Sequence, residues 1–140
     1  MGGVELFEHQ KVALSLMRVN DGFALFMEQG TGKTFPVLFR LAELAEQNRI
    51  KSALVVAPKA VCTSWKETLK LLSDSQRAAL DSIEFEVASY DFVWRREEIR
   101  DAAYDAVVLD ESHYIKNPAA KRTKACLALA SRAKYRYIMT

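Results

Sequence analysis

Apolar positions recur along this chain in two rhythms. From about Val4 to Val19 they fall at Leu6, Val12, Ala13, Leu16 and Met17, which is the spacing of one helix face. Asn20-Asp21-Gly22 closes that helix with turn chemistry. Phe23–Met27 is then a short apolar run that predicts a strand, and Val37, Leu38, Leu41, Leu44 and Ala45 predict a helix to about Gln47. Ala53–Ala57 is continuously apolar and ends at Pro58, the mark of a strand buried on both faces. Trp65, Leu69 and Leu72 predict a helix over about Ser64–Leu72, and the polar stretch Asp74–Asp81 is expected to mix helix and loop. Glu84–Ser89 alternates as a third strand, Asp91–Ala103 is charged and expected to be helical, and Ala106–Leu109 is another buried strand. A helix around Ala119–Arg132 precedes a last strand, Tyr135–Met139. Strands that alternate with helices predict an α/β fold: three layers, with a central parallel sheet flanked by helices on both faces.

Composition narrows this picture. Half of the 140 residues are hydrophobic, enough for one sizeable core and one domain. A net charge of +2 implies no polyanion partner by itself. Its distribution says more, because seven basic residues (Lys116, Lys121, Arg122, Lys124, Arg132, Lys134, Arg136) follow one another from Lys116 with no acidic residue among them. Cys62 and Cys126 stand apart without metal-ligand spacing, and are expected as buried thiols of a reducing, intracellular compartment. No apolar run approaches the length of a membrane span, so no membrane partner is expected.

The chemistry concentrates in Met27-Glu28-Gln29-Gly30-Thr31-Gly32-Lys33-Thr34, which sits between a predicted strand and a predicted helix. Strand, glycine loop and helix are the context that a phosphate-binding loop requires. Gly30 and Gly32 allow the tight turn that aims backbone N–H groups, Thr31's included, at phosphate oxygens near the positive end of the helix. Lys33 can reach the β- and γ-phosphates, and the Thr34 hydroxyl can ligate Mg²⁺. Pro36 falls in the first turn, where its missing N–H costs little. Met27 departs from the full pattern, which has glycine there.

Asp110-Glu111 ends a buried strand, and ligands of open parallel sheets bind outside the carboxyl ends of the strands. Both motifs therefore face one crevice. Asp110 is expected to hold Mg²⁺, and Glu111 to orient and deprotonate the water that attacks the γ-phosphate of ATP.

These residues resemble a family. Asp110-Glu111-Ser112-His113, followed by Tyr114-Ile115-Lys116-Asn117-Pro118, is similar to the Asp-Glu-X-His box of superfamily-two helicases. The trailing Lys116-Asn117 is closest to the Snf-type (switch/sucrose-nonfermenting) DNA translocases and chromatin remodellers. Other landmarks agree in order. Leu6–Gln10 resembles the family's adenine-reading glutamine motif, and Glu28–Thr34 its first motif. Val55 to Trp65 resembles motif Ia, Ala88–Asp91 motif Ib, and Arg136–Thr140 the lead-in to motif III. Ser112 replaces a more common alanine, and Glu67 lies two residues after Trp65 where the family's acid lies three after.

The resemblance implies the N-terminal RecA-like lobe of a P-loop NTPase over residues 1–140, ending at the start of motif III, with the second lobe and its arginine fingers absent. Gln10 would read the adenine edge, and His113 would couple the γ-phosphate to the nucleic-acid side. Ser64, Tyr90, Lys116 and Asn117 would touch nucleic acid, expected to be double-stranded DNA bound through motifs Ia and Ib. For Ser64 and Tyr90 the structural alternatives are a helix cap and a core aromatic, and Trp65 is expected to pack rather than stack on a base. The expected cofactors are ATP and Mg²⁺, and the expected activity is that of a DNA-dependent ATPase, nearly inactive without its other lobe. Such a protein would work in the cytoplasm of a bacterium or phage host, or in a eukaryotic nucleus. The resemblance also implies a strand order: Tyr135–Met139 inserted between the phosphate-loop strand and the Asp110 strand, followed outward by Ala53–Ala57 and Glu84–Ser89. Two alternatives stay open, a stand-alone nucleotide- or DNA-binding module and the lobe of an RNA helicase or restriction-type translocase.

Overall fold

The computed structural model describes residues 6–20, 24–26, 34–110 and 120–139. Five strands, β1 (Ala24–Phe26), β2 (Ser52–Ala57), β3 (Glu84–Ser89), β4 (Ala106–Leu109) and β5 (Tyr135–Met139), form one sheet in the order β1-β5-β4-β2-β3. Every pairing is parallel, and the last strand of the chain lies between β1 and β4, the order expected from the resemblance. Seven helices occur among the described residues: α1 (Glu8–Val19), α2 (Thr34–Glu46), α3 (Lys59–Leu69), α4 (Asp74–Asp81), α5 (Tyr90–Arg95), α6 (Glu97–Arg100) and α7 (Lys121–Arg132).

The central strands are apolar on both faces because both faces are covered. Successive side chains of a strand point to opposite sides. Ala53, Val55, Ala57, Ala106, Val108, Tyr135, Tyr137 and Met139 accordingly share one core with α1, α2, α4 and Trp65 of α3. Leu54, Val56, Val107 and Leu109 point the other way, into a second core with Tyr90 and Val93 of α5, Ile99 of α6 and Cys126 and Leu129 of α7. The result is helix, sheet, helix. α1 is held on α2 by Ala13, Leu14 and Met17 in the first core, and by Arg18, whose guanidinium Nε donates to Glu43 Oε1 at 3.0 Å.

Local chemistry explains where the elements depart from the pattern reading. Asp74–Asp81 is one continuous helix, not a mixture. Ser73 Oγ accepts the Gln76 amide at 3.2 Å while Gln76 Oε1 accepts the Ser73 amide at 3.1 Å, so two orphan donors of the first turn are satisfied reciprocally. α3 starts earlier than expected, at Lys59, because the Pro58 carbonyl takes the amides of Val61 and Cys62 and begins the helix. The charged stretch after Tyr90 is two short helices, broken where Arg96 is extended (φ −102°, ψ 106°). Cys126 is buried as expected, whereas Cys62 is only half-buried.

Candidate active site

In a parallel sheet all carboxyl ends lie at one edge. That edge gathers the end of β1, which leads into α2 at Thr34, the end of β4 at Asp110, and the ends of β2 and β3 at Pro58 and Ser89-Tyr90. β1 and β4 flank β5, so their axes are about 10 Å apart at the usual interstrand spacing. Of the two residues expected to hold a metal, Asp110 thus follows the end of β4, one strand removed from β1, and Thr34 opens α2, the helix that comes after β1 in the chain.

Asp110 is the most constrained residue of this edge, and its side chain is fully buried. Its amide donates to the Val56 carbonyl of β2 at 2.8 Å. Trp65, also fully buried, donates its indole Nε1–H to Asp110 Oδ2 at 2.7 Å. Tyr90 donates its hydroxyl to the Asp110 carbonyl at 2.6 Å. The Trp65 bond spans 45 residues of sequence, and nothing in the periodicity announces it. Trp65 packs as expected. Tyr90 fits the structural alternative open to it. It is 3 % exposed, a core aromatic, and its hydroxyl is committed to the main chain of β4.

Gln10 is 3 % exposed rather than solvated, and its Oε1 accepts the Phe7 amide at 2.8 Å, which orients the amide at the start of α1. Ser64 does not cap a helix: it is an exposed residue inside α3, and its carbonyl accepts Thr68 Oγ1 at 2.8 Å. Gly30, Thr31, Gly32, Lys33, Glu111, His113, Lys116 and Asn117 lie outside the described residues. The described donors, a carboxylate and a hydroxyl, are hard oxygens of the kind that suit Mg²⁺, which keeps several waters and few protein ligands. Among the described residues no three His, Cys, Asp or Glu side chains converge. No described helix is long and apolar enough to cross a membrane.

Beside Asp110, where β2 and β3 end, a cleft of about 440 Å³ is lined by Pro58, Lys59, Tyr90, Phe92 and Asp91 and by three arginines, Arg95, Arg96 and Arg122. Arg96 lies over the Phe92 ring at 4.6 Å, and Arg122 Nη1 is 3.8 Å from Asp91 Oδ1. Among the described residues, four cations face one carboxylate in this cleft, an electropositive balance. Arg122 belongs to the basic C-terminal run, but Lys59, Arg95 and Arg96 come from two other elements, and only the fold brings them together. Arg132 of the same run turns away. It sits at the amino end of the sheet and donates to the carbonyls of Arg100 and Ala102.

Similarity to known proteins agrees with this arrangement. Residues 3–139 match the family described as Type III restriction enzyme, res subunit. Protein CHROMATIN REMODELING 24 of Arabidopsis thaliana is 29 % identical over 160 residues, covering 90 % of this chain and 15 % of that protein. The human DNA repair and recombination protein RAD54B is 26 % identical over 138 residues, covering 81 % of this chain and 15 % of its own length. The fold matches the Sulfolobus solfataricus SWI2/SNF2 ATPase core in complex with dsDNA with a TM-score of 0.80 at 23 % identity, over 99 % of this chain and 32 % of that one. The chain therefore spans about 15 % of the length of these curated relatives. It belongs to the family described as Type III restriction enzyme, res subunit, and its α/β fold is that of a RecA-like lobe.

Proposed function

We propose that this lobe binds Mg·ATP for a DNA-dependent ATPase that moves along double-stranded DNA. One observation carries the reading: the Asp110 edge and the cation-lined cleft are neighbours on the same edge of the sheet. Thr34 and Asp110 would hold Mg²⁺, with Lys33 and the amides of Gly30, Thr31 and Gly32 on the phosphates and Gln10 on the adenine. Bound there, Mg²⁺ neutralises charge on the β- and γ-phosphate oxygens. Glu111 follows Asp110 directly and accepts a proton from the attacking water. His113 relays the state of the γ-phosphate toward the nucleic-acid side.

The duplex backbone would lie along the cleft, met by Lys59, Arg95, Arg96 and Arg122, with Ser64, Lys116 and Asn117 as further contacts. Such contacts supply affinity without reading sequence. The names of the relatives, which speak of chromatin remodelling, DNA repair and bound dsDNA, support DNA over RNA. The res-subunit match favours a second reading, the same lobe in a restriction-type translocase. This chain spans 32 % of an ATPase core, which supports weak binding and very slow turnover by these residues alone.

Calorimetric titration of the chain with Mg·ADP tests the nucleotide site. Weak but saturable binding is expected, and Lys33→Ala abolishes it because that loop's one point charge on the β/γ-phosphates is gone. Equal affinity in both proteins would overturn the assignment.

A further inference from the structure

We propose that Trp65 and Tyr90 are positioning residues for the metal site, which set the Asp110 carboxylate in place from opposite sides of the sheet. The inference rests on the reading of Asp110 as a Mg²⁺ ligand. Even-numbered side chains at the end of β4 point toward the core that holds Trp65, and odd-numbered ones toward the core that holds Tyr90. Asp110 follows Leu109 in that alternation, so its carboxylate points to the Trp65 side and meets Nε1 at 2.7 Å. Tyr90 approaches from the other layer and reaches the Asp110 main-chain carbonyl at 2.6 Å. With the Val56 carbonyl taking the Asp110 amide at 2.8 Å, the residue is held at its amide, its carbonyl and its side chain.

The donor chemistry makes the Trp65 contact selective. An indole N–H can only donate and has no acceptor, so it cannot ligate a cation itself. What it can do is fix one carboxylate oxygen and, with it, the side-chain rotamer. Partners of this kind orient a metal ligand without touching the metal, and their removal typically lowers metal affinity 10–100-fold. Both rings are buried, and each has other packing duties. What separates a positioning role from packing is whether losing the donor, with the ring retained, changes the response to Mg²⁺.

The test is ADP binding by the 140-residue chain, measured by calorimetry across a series of Mg²⁺ concentrations and once in EDTA. In Trp65→Phe, ADP affinity in EDTA should match wild type, while the Mg²⁺ concentration that half-maximally tightens binding rises about tenfold. Tyr90→Phe removes one hydroxyl and keeps the ring, and should raise the same midpoint by about threefold. If Trp65→Phe does not fold, the Tyr90→Phe midpoint decides: a rise supports the inference, and an unchanged midpoint overturns it. Asp110→Asn separates the two levels. Should Asp110→Asn leave the Mg²⁺ response at wild type, the metal-ligand reading itself fails. Should it abolish the response while folded Trp65→Phe and Tyr90→Phe keep the wild-type midpoint, only the positioning role fails.

Discussion

Asp105 and Lys51 lock two strands together at the amino edge of the sheet: the Lys51 amide donates to Asp105 Oδ2 at 2.7 Å. The Asp105 amide in turn donates to Ser52 Oγ at 3.0 Å, and its carbonyl accepts the amides of Lys134 and Tyr135, both at 3.0 Å. One residue before β4 thereby ties down the starts of β2 and β5, its neighbours in the sheet. Register at this edge fixes register at the other, where Asp110 emerges four residues beyond Ala106 in the same strand.

Asp105→Ala should lower stability by about 1 kcal/mol, the net worth of such a hydrogen bond at a partly exposed site. In a thermal melt that corresponds to roughly 3–5 °C. Asp105→Asn keeps an acceptor and should lose less. Equal melting points for wild type and Asp105→Ala would show that the Lys51 amide is as well served by water.

The two thiols should differ in reactivity. Burial pushes the Cys126 thiol up to about 12, only partly opposed by the Arg122 guanidinium. Burial also raises Cys62, helped by the Asp110 carboxylate and opposed by the Lys66 ammonium, but this thiol is half-buried. Thiolate is the nucleophile. At pH 8, a disulfide reagent should therefore label Cys62 slowly and Cys126 only on unfolding. Fast, stoichiometric labelling of both in the native state would contradict the burial of α7 against β4.

Much of the fold was legible because its signals are local. Continuous apolar runs marked β2 and β4, alternation marked β3, and strand–helix alternation implied parallel pairing. Resemblance, rather than periodicity, supplied the insertion of β5 between β1 and β4. The helix at Asp74–Asp81 was read only as a mixture of helix and loop, although Ser73-x-x-Gln76 is a capping-box spacing, since its surface is polar and only Ala79 and Leu80 are buried. The break at Arg96 carries no Gly or Pro to mark it. In the site, Asp110 was legible from its place after a buried run. Its partners were not, because 45 and 20 residues separate it from Trp65 and Tyr90, and contacts between layers leave no periodic trace. Of the two alternatives open for Tyr90, nucleic-acid contact and core aromatic, its burial fits the second.

The cleft predicts a salt-dependent interaction. If Arg95 meets a backbone phosphate, Arg95→Ala should weaken duplex binding about equally for all sequences. The slope of log K against log salt should fall by about 1, the share of one neutralised phosphate. Asp91→Asn should strengthen binding, because it removes the one carboxylate among the described residues of the cleft and leaves Arg122 without that neighbour. Fluorescence anisotropy with a short duplex, repeated over a range of salt, reads both. A salt slope unchanged in Arg95→Ala would remove this cleft from the interface.

Hydrolysis separates a motor lobe from a binding module. The carboxyl edge supplies Asp110 and, next to it in sequence, Glu111, but the described arginines of that edge line the cleft beyond β2. Three interstrand spacings, about 14 Å, separate β1 from β2, at whose end Arg95, Arg96 and Arg122 line the cleft, so none of the three is expected to serve the γ-phosphate within one chain. A stabilising arginine at the transferring phosphoryl group is worth about 10³–10⁵ in rate. The 140 residues should therefore show almost no ATPase, and DNA should not rescue it. Joining a second RecA-like lobe should restore turnover and make it DNA-dependent. In that two-lobe protein Glu111→Gln should remove turnover while ATP binding persists, since the amide keeps the shape but cannot take the water's proton. Robust DNA-stimulated hydrolysis by these residues alone, lost in Glu111→Gln, would mean that an arginine reaches the site from this chain or from another copy of it. Arg122 would be the first to replace, because it lies at the carboxyl edge while Arg132 lies at the amino edge, bound to the carbonyls of Arg100 and Ala102.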